Sequence, residues 1–175
     1  MISFLGASVD GLRMNMPVSI RTDDATAGGK QFVPTRFIVP TNIKDPVERM
    51  RAIRDMVEEI RTEPALDLVS PISTVLYRLG TSVATAAFSS MIKGVDLVTS
   101  NVPGAPIDVY VAGAKIEAQY ALGPNGGAAV NFTLLSYTGT AHITVGTDTA
   151  AVDDVDALLA DVQASFDELA ALTRS

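Results

Sequence analysis

Apolar and polar positions alternate from Met14 to Arg21. Met14, Met16, Val18 and Ile20 fall on one side, and Asn15, Pro17, Ser19 and Arg21 on the other. Period two is the signature of a half-buried strand. Pro17 has no N–H to give to a ladder, which places it at a sheet edge or a strand end. A turn-rich segment from Thr22 to Lys30, with Gly28-Gly29, leads to a second strand from Gln31 to Val39 that Pro34 interrupts.

The period then changes to that of a helix. Asp45-Pro46-Val47-Glu48 combines a capping carboxylate, a proline suited to the first helical position and an acidic residue completing a capping box. Val47, Met50, Ile53, Val57 and Ile60 follow on one face. The other face mixes Arg49, Arg51, Arg54 and Arg61 with Asp55, Glu58 and Glu59, the pattern of a solvated face with internal ion pairs rather than an anion site. Pro64 ends the helix. A second helix starts with Ile72, Val75, Leu76, Leu79 and Val83, continues through small residues to about Ile92, and stops at Gly94.

Three strand-like runs come next. Val95 to Val98 leads into a turn at Ser100-Asn101-Val102-Pro103-Gly104. Ile107 to Tyr120 alternates, with an irregularity at Gly113. Ala128 to Tyr137 is followed by Thr138-Gly139 and by Ala141, Ile143 and Val145, which predicts an antiparallel hairpin. Val155, Leu158, Leu159, Val162, Phe166 and Leu169 form a final amphipathic helix. Asp153, Asp154 and Asp156 at its start suit the positive end of the helix dipole. Strands, two helices, strands and a helix predict an α+β fold: a mixed, mostly antiparallel sheet with helices packed on one side. No repeat or linker divides residues 1–175, so one domain is expected.

Composition narrows the function classes. With 175 residues, 47% hydrophobic and 19% charged, the chain can bury a core. A net charge of −7 argues against nucleic acid and against polybasic docking on anionic lipid. The absence of cysteine excludes disulfides, thiolate metal sites and cysteine nucleophiles. The start, Met1 to Ala7, lacks a basic segment and a long enough apolar run for a signal peptide. The apolar stretch from Ile72 to Ile92 contains Arg78 and reads as a buried helix rather than a membrane span. A cytoplasmic protein is expected.

Candidate chemistry is sparse. His142 is the only histidine, and its place in a strand reads as a half-exposed structural residue. Ser100 and Ser136 lie in no nucleophile elbow. Gly28-Gly29-Lys30 lacks phosphate-loop spacing. Leu122 to Gly127 reads as a loop. Asp153, Asp154 and Asp156 have no calcium-loop spacing and read as caps. Asn101 supports two readings: a polar group facing a cleft at a strand end, or a side chain satisfying turn backbone.

Several ordered segments resemble one family, the C-terminal domain of the bacterial wax ester synthase/diacylglycerol acyltransferases. Met16-Pro17-Val18-Ser19-Ile20-Arg21 resembles its P-V-S-x-R strand. Asp45 to Ile53 resembles its D-P-x-x-R-L helix start. Ser100-Asn101-Val102-Pro103-Gly104 resembles its [TS]-N-V-P-G motif, and Val111-Ala112-Gly113-Ala114 its L-A-G-A strand. Asn131 to Tyr137, then Gly139, resembles its N-I-x-x-x-S-Y-x-G segment. Asp148 and the last helix are similar to its closing segment.

The resemblance implies an O-acyltransferase of the coenzyme A-dependent superfamily, with the fold of chloramphenicol acetyltransferase and condensation domains. Such enzymes have two similar halves with a substrate tunnel between them, and make wax esters or triacylglycerol. No cofactor is held tightly, and acyl-CoA is a co-substrate with a long-chain alcohol or diacylglycerol. A histidine in H-H-x-x-x-D-G is the general base. This sequence contains no such motif, and His142 is followed by Ile143, Thr144 and Val145.

The chain therefore resembles the C-terminal half without the catalytic N-terminal half, and no catalytic residue is assigned to it. Asn101, Val102, Pro103 and Gly104 would line the tunnel, with Asn131, Ser136 and Tyr137 shaping it. The expected partner is an N-terminal acyltransferase half, upstream or on a separate chain, or a second copy, meeting an exposed apolar surface. Contact with a membrane or lipid droplet also fits. The alternative is a non-catalytic module of that family that binds lipid or protein.

Overall fold

A computed structural model of the chain describes residues 3–4, 7–19, 32–62 and 94–173. The segment Thr22 to Lys30, Pro64 and the expected helix from Ile72 to about Ile92 lie outside the described residues. Backbone contacts divide the chain into two compact units, Met1–Thr99 with Gly126–Ala128, and Ser100–Asn125 with Ala129–Ser175.

In the first unit, β1 (Ser3–Phe4) pairs antiparallel with β2 (Ala7–Ser8). The long hairpin is β3 (Gly11–Ser19) against β4 (Phe32–Pro40), in register from Gly11 opposite Pro40 to Ser19 opposite Phe32. The period-two pattern is realised here. Val18 is buried on one face of β3, and Phe37 and Val39 on the same face of β4. β5 (Leu97–Pro103) adds in parallel, with Met14 beside Leu97 and Asn15 beside Val98. Thr99 donates its hydroxyl to Met14 Sδ at 3.3 Å.

Pro17 was expected at a sheet edge or a strand end; β3 has neighbours on both sides, and Pro17 lies two residues from its end. The register explains the tolerance. Arg13 turns both backbone polar groups toward the β5 side, accepting from Asp96 N–H at 2.9 Å and donating to Asp96 Oδ2 at 2.8 Å. Alternation puts the Pro17 nitrogen on that same side, and the parallel pairing recorded with β5 reaches only to Asn15. Pro34 sits directly opposite Pro17. Neither ring therefore removes a rung between β3 and β4.

α1 (Pro46–Arg61) begins as its sequence dictates. Asp45 Oδ1 accepts from Glu48 N–H at 2.8 Å, and Pro46 occupies the first turn. It ends on Thr62, whose N–H and hydroxyl both return to the carbonyls of Glu58 and Glu59. Val47, Ile53, Val57 and Ile60 are half-buried, and the helix packs on β4. Met50 departs from the expected stripe and is exposed. The half-buried side instead takes in Arg49, which donates to the Ile43 carbonyl at 3.2 Å.

In the second unit, β8 (Val130–Tyr137) pairs antiparallel with β9 (Thr140–Thr147) from Val130 opposite Thr147 to Tyr137 opposite Thr140. Thr138 and Gly139 have φ of 45° and 83°, the two positive values that a two-residue type I′ turn requires. The run from Ile107 to Tyr120 is not one strand. It folds into a short hairpin, β6 (Tyr110–Val111) and β7 (Ala114–Lys115), about Ala112 and Gly113, with φ of 50° and 86°. α2 (Val155–Leu172) is capped by Asp154, whose Oδ1 accepts from Ala157 N–H at 2.8 Å.

β5 contributes residues to both units, adding to the β3–β4 hairpin in the first, and β8 pairs with β9 in the second. With the parallel β3–β5 pair among antiparallel hairpins, and with two described helices, the fold is the expected α+β class with a mixed, mostly antiparallel sheet.

Candidate functional site

The segment Ser100 to Gly104 is not a turn following a short strand. β5 stays extended through Pro103, and the chain turns away only at Gly104. Asn101 is exposed, and its side chain forms no hydrogen bond among the described residues. Val102 is half-buried and Pro103 exposed. Asn101 therefore does not serve the turn backbone.

Gly104 lies against β8. Its N–H donates to Ser136 Oγ at 3.3 Å. A β-carbon at Gly104 would run into the Ser136 carbonyl oxygen and meet Leu135 Cδ2 at 3.1 Å. Glycine is required there by close approach. The structure thus brings Gly104 and Ser136 together, and the serine hydroxyl is engaged with backbone.

Asn131 and Tyr137 share one face of β8, near its two ends, because residues at even separations in a strand point the same way. Asn131 is 3% exposed. Its Nδ2 donates to the Pro124 carbonyl at 2.7 Å, and its Oδ1 accepts from Thr133 Oγ1 at 2.9 Å. Thr133 is equally buried. Gly123 fits closely over this pair, since a β-carbon on it would lie 2.8 Å from Asn131 Nδ2 and 2.9 Å from Thr133 Oγ1. From β9, the Thr144 hydroxyl is placed to bond the carbonyls of Ala121 and Thr133. Residues 121–124 are thus held on the β8–β9 hairpin by side-chain bonds to their backbone.

Tyr137 is the most completely buried large side chain among the described residues, at 1% exposure. Its hydroxyl donates to the Ile116 carbonyl at 3.0 Å and accepts from Val109 N–H at 3.0 Å. Ile116 N–H in turn bonds the Val109 carbonyl at 2.9 Å. Tyr137 therefore closes the foot of the β6–β7 hairpin. Both of its hydrogen-bonding capacities are spent on backbone, the arrangement a buried tyrosine hydroxyl needs.

His142 is half-buried in β9 opposite Leu135. Its ring meets Tyr120 edge-on, with centroids 5.0 Å apart and planes at 69°. Among the described residues no group of three His, Cys, Asp or Glu is placed to hold a metal. In the first unit, Arg13 and Asp96 form a paired contact through the guanidinium and the backbone N–H. The side-chain hydrogen bond from Arg13 holds the Asp96 carboxyl below the usual carboxylate range. No described helix is long and apolar enough to cross a membrane.

Sequence reasoning missed Thr133 and Thr144. Their signal was present as threonines amid apolar positions of the two strands, Thr133 two residues from Asn131.

The chain belongs to the WS/DGAT C-terminal domain family, whose profile matches residues 29–170. It is 40% identical over 168 residues to a protein of Mycobacterium tuberculosis H37Rv provisionally named a diacylglycerol O-acyltransferase. That alignment covers 96% of this chain and 34% of that protein. It is 28% identical over 162 residues to a similarly named protein of Mycobacterium bovis, covering 88% of this chain and 35% of the other. The wax ester synthase/diacylglycerol acyltransferase of Marinobacter aquaeolei VT8 shares the fold, with a TM-score of 0.60 and 21% identity over 91% of this chain and 36% of that one. The chain spans about a third of the length of the curated relatives it matches.

Proposed function

We propose that this chain acts as the C-terminal half of an acyl-CoA-dependent O-acyltransferase that transfers an acyl group to a long-chain alcohol or diacylglycerol. Family membership over residues 29–170 carries this reading. The chain contributes a tunnel wall. The general base comes from an H-H-x-x-x-D-G half, because the only histidine here packs on Tyr120.

In this reading the wall residues have two roles. Asn101, exposed beside Val102 and Pro103, touches substrate and hydrogen-bonds an acyl carbonyl or acceptor hydroxyl. Gly104, Asn131, Ser136 and Tyr137 position the wall, since each is committed to backbone or to close packing. Losing a positioned general base removes about 10²–10⁴-fold of rate, so the chain alone turns over little. The test mixes the chain with an H-H-x-x-x-D-G half and follows release of free coenzyme A. Turnover by the pair, reduced by Asn101→Ala, is the expected result.

A second reading, a non-catalytic lipid-binding module of the same family, is favoured by the exposed apolar side chains between Ile107 and Leu122. It predicts lipid binding without turnover in any pairing.

A further inference from the structure

α2 spans 18 residues, and none of them is buried. A helix of that length on a globular domain ordinarily buries an apolar stripe. Here Val155, Leu158, Val162 and Leu169 are only half-buried. Leu159 and Phe166, on the shoulder beside them, are 44% and 45% exposed. Leu159, Val162, Phe166 and Leu169 repeat at spacings of three and four, the seam that one helix presents to another.

Charge specifies the partner. From Asp148 to Thr173 the sequence has seven carboxylates and no lysine, arginine or histidine. Helical spacing sets Asp156 and Asp167 along one side of the seam, and Asp161 and Glu168 along the other. Asp156, in the first turn, suits the helix dipole. Asp167 and Glu168 do not. They stand beside the last turn, where the dipole favours cations, and that turn holds no basic residue. Asp167 accepts from Gln163 Nε2 at 3.0 Å. Among the described residues neither carboxylate pairs with a cation. An exposed apolar seam thus runs beside carboxylates that the helix by itself places unfavourably.

We infer that α2 docks a basic amphipathic helix of a longer polypeptide, with apolar residues on Leu159 and Phe166 and Lys or Arg beside Asp167 and Glu168. Other occupants fit worse. Helices that lie on lipid carry Lys and Arg along the polar face, and α2 carries none. α2 of a second copy would bring carboxylates against carboxylates. α1 of a second copy has as many carboxylates as arginines, and its Arg54 is already paired with Asp55 and Glu58. A longer polypeptide has room for the basic helix, since this chain covers 34% of its Mycobacterium tuberculosis relative. The inference rests on the reading of this chain as one part of an acyltransferase, but its test measures binding and not turnover.

The test is fluorescence anisotropy with the 175-residue chain and labelled peptides. Two designed helices carry leucine along the seam and either lysine or glutamate around it. A further set of overlapping peptides covers the part of the Mycobacterium tuberculosis relative outside the match. The chain binds the lysine helix at least about tenfold tighter than the glutamate helix, and binds peptides of the relative that share its basic, apolar pattern. Phe166→Asp weakens binding at least about tenfold through the lost aromatic contact, although the added charge alone would tighten it. Asp167→Asn with Glu168→Gln weakens binding severalfold and raises Tm by relieving the dipole, whereas damage to the helix would lower both. Equal binding of the two designed helices, or undiminished binding by Phe166→Asp, overturns the inference. Binding to no peptide of the relative also overturns it and assigns the face to another protein. Flotation on phosphatidylcholine or phosphatidylglycerol vesicles that Phe166→Asp abolishes overturns it in favour of lipid. Absence of acyl transfer bears on the proposed function alone.

Discussion

Gly104 and Ser136 are in direct backbone contact: a β-carbon on the glycine would collide with the serine carbonyl oxygen, while the glycine N–H bonds the serine hydroxyl at 3.3 Å. This contact fixes where the chain leaves β5, and so where Asn101 stands. The obstacle is backbone and cannot swing aside. Gly104→Ala should destabilise the fold by about 3 kcal/mol, at the upper end of overpacking costs. Gly146 is the control, because the one close contact of a β-carbon there is the Asn125 side chain, at 2.9 Å, with Asn131 Cβ at an ordinary 3.9 Å. Gly146→Ala should cost less than about 1 kcal/mol, since a flexible side chain gives way. Urea unfolding of both variants checks the difference. Equal costs would remove the contact from the account.

Tyr137→Phe keeps the ring and deletes the hydroxyl. It leaves Val109 N–H and the Ile116 carbonyl without their partner, at a cost of about 1–3 kcal/mol. Amide exchange reads the local effect. The Val109 amide should exchange faster in the variant, while amides of the β8–β9 ladder keep their protection relative to global stability.

The Thr138-Gly139 turn places a β-branched residue at a φ of 45°. Asparagine is better adapted to this conformation. Thr138→Asn should stabilise the chain by roughly 0.5–1 kcal/mol, and Gly139→Ala should destabilise it by about 1–2 kcal/mol. Thermal unfolding of the pair gives opposite shifts in Tm.

Arg13 lowers the Asp96 carboxyl from its ordinary value through their side-chain hydrogen bond. A depressed folded-state pKa means the carboxylate stabilises the fold above its unfolded-state pKa. That contribution disappears as pH falls through the folded-state value. The chain should therefore lose stability on acidification below about pH 4. Asp96→Asn should be less stable than the native chain at pH 7, and the gap should narrow as the pH drops. Denaturant midpoints across that range report it. A gap that widens on acidification would contradict the assignment.

Much of the fold was legible where the signal is local. Asp45-Pro46 starts α1, Thr138-Gly139 turns β8 into β9, and the alternation of Met14, Met16 and Val18 marks the buried face of β3. The β6–β7 hairpin was harder to read, because Ala112 stands where Asn or Asp would have announced a type I′ turn, and the alternating apolar residues continued through it. Pro17 left a sheet edge and a strand end open, because its tolerance depends on register with β4 and β5, which is set by residues far away in sequence. The candidate site was legible as motifs but not as roles. Asn131, Ser136 and Tyr137 look alike as polar groups in a strand. Only their partners, Pro124, Gly104, and Val109 with Ile116, make them clamps and set Asn101 apart.

The central claim is that this chain supplies one wall of an acyl-transfer site and not its base. The direct measurement is release of coenzyme A from a long-chain acyl-CoA, with a long-chain alcohol or diacylglycerol present. It is made for the chain alone, for an H-H-x-x-x-D-G half alone, and for the two together. The account predicts transfer by the pair, at least about 10²-fold above the chain alone, with a clear loss on Asn101→Ala at unchanged stability. Robust turnover by the chain alone, or a pair in which Asn101→Ala is as active as the native chain, would contradict it.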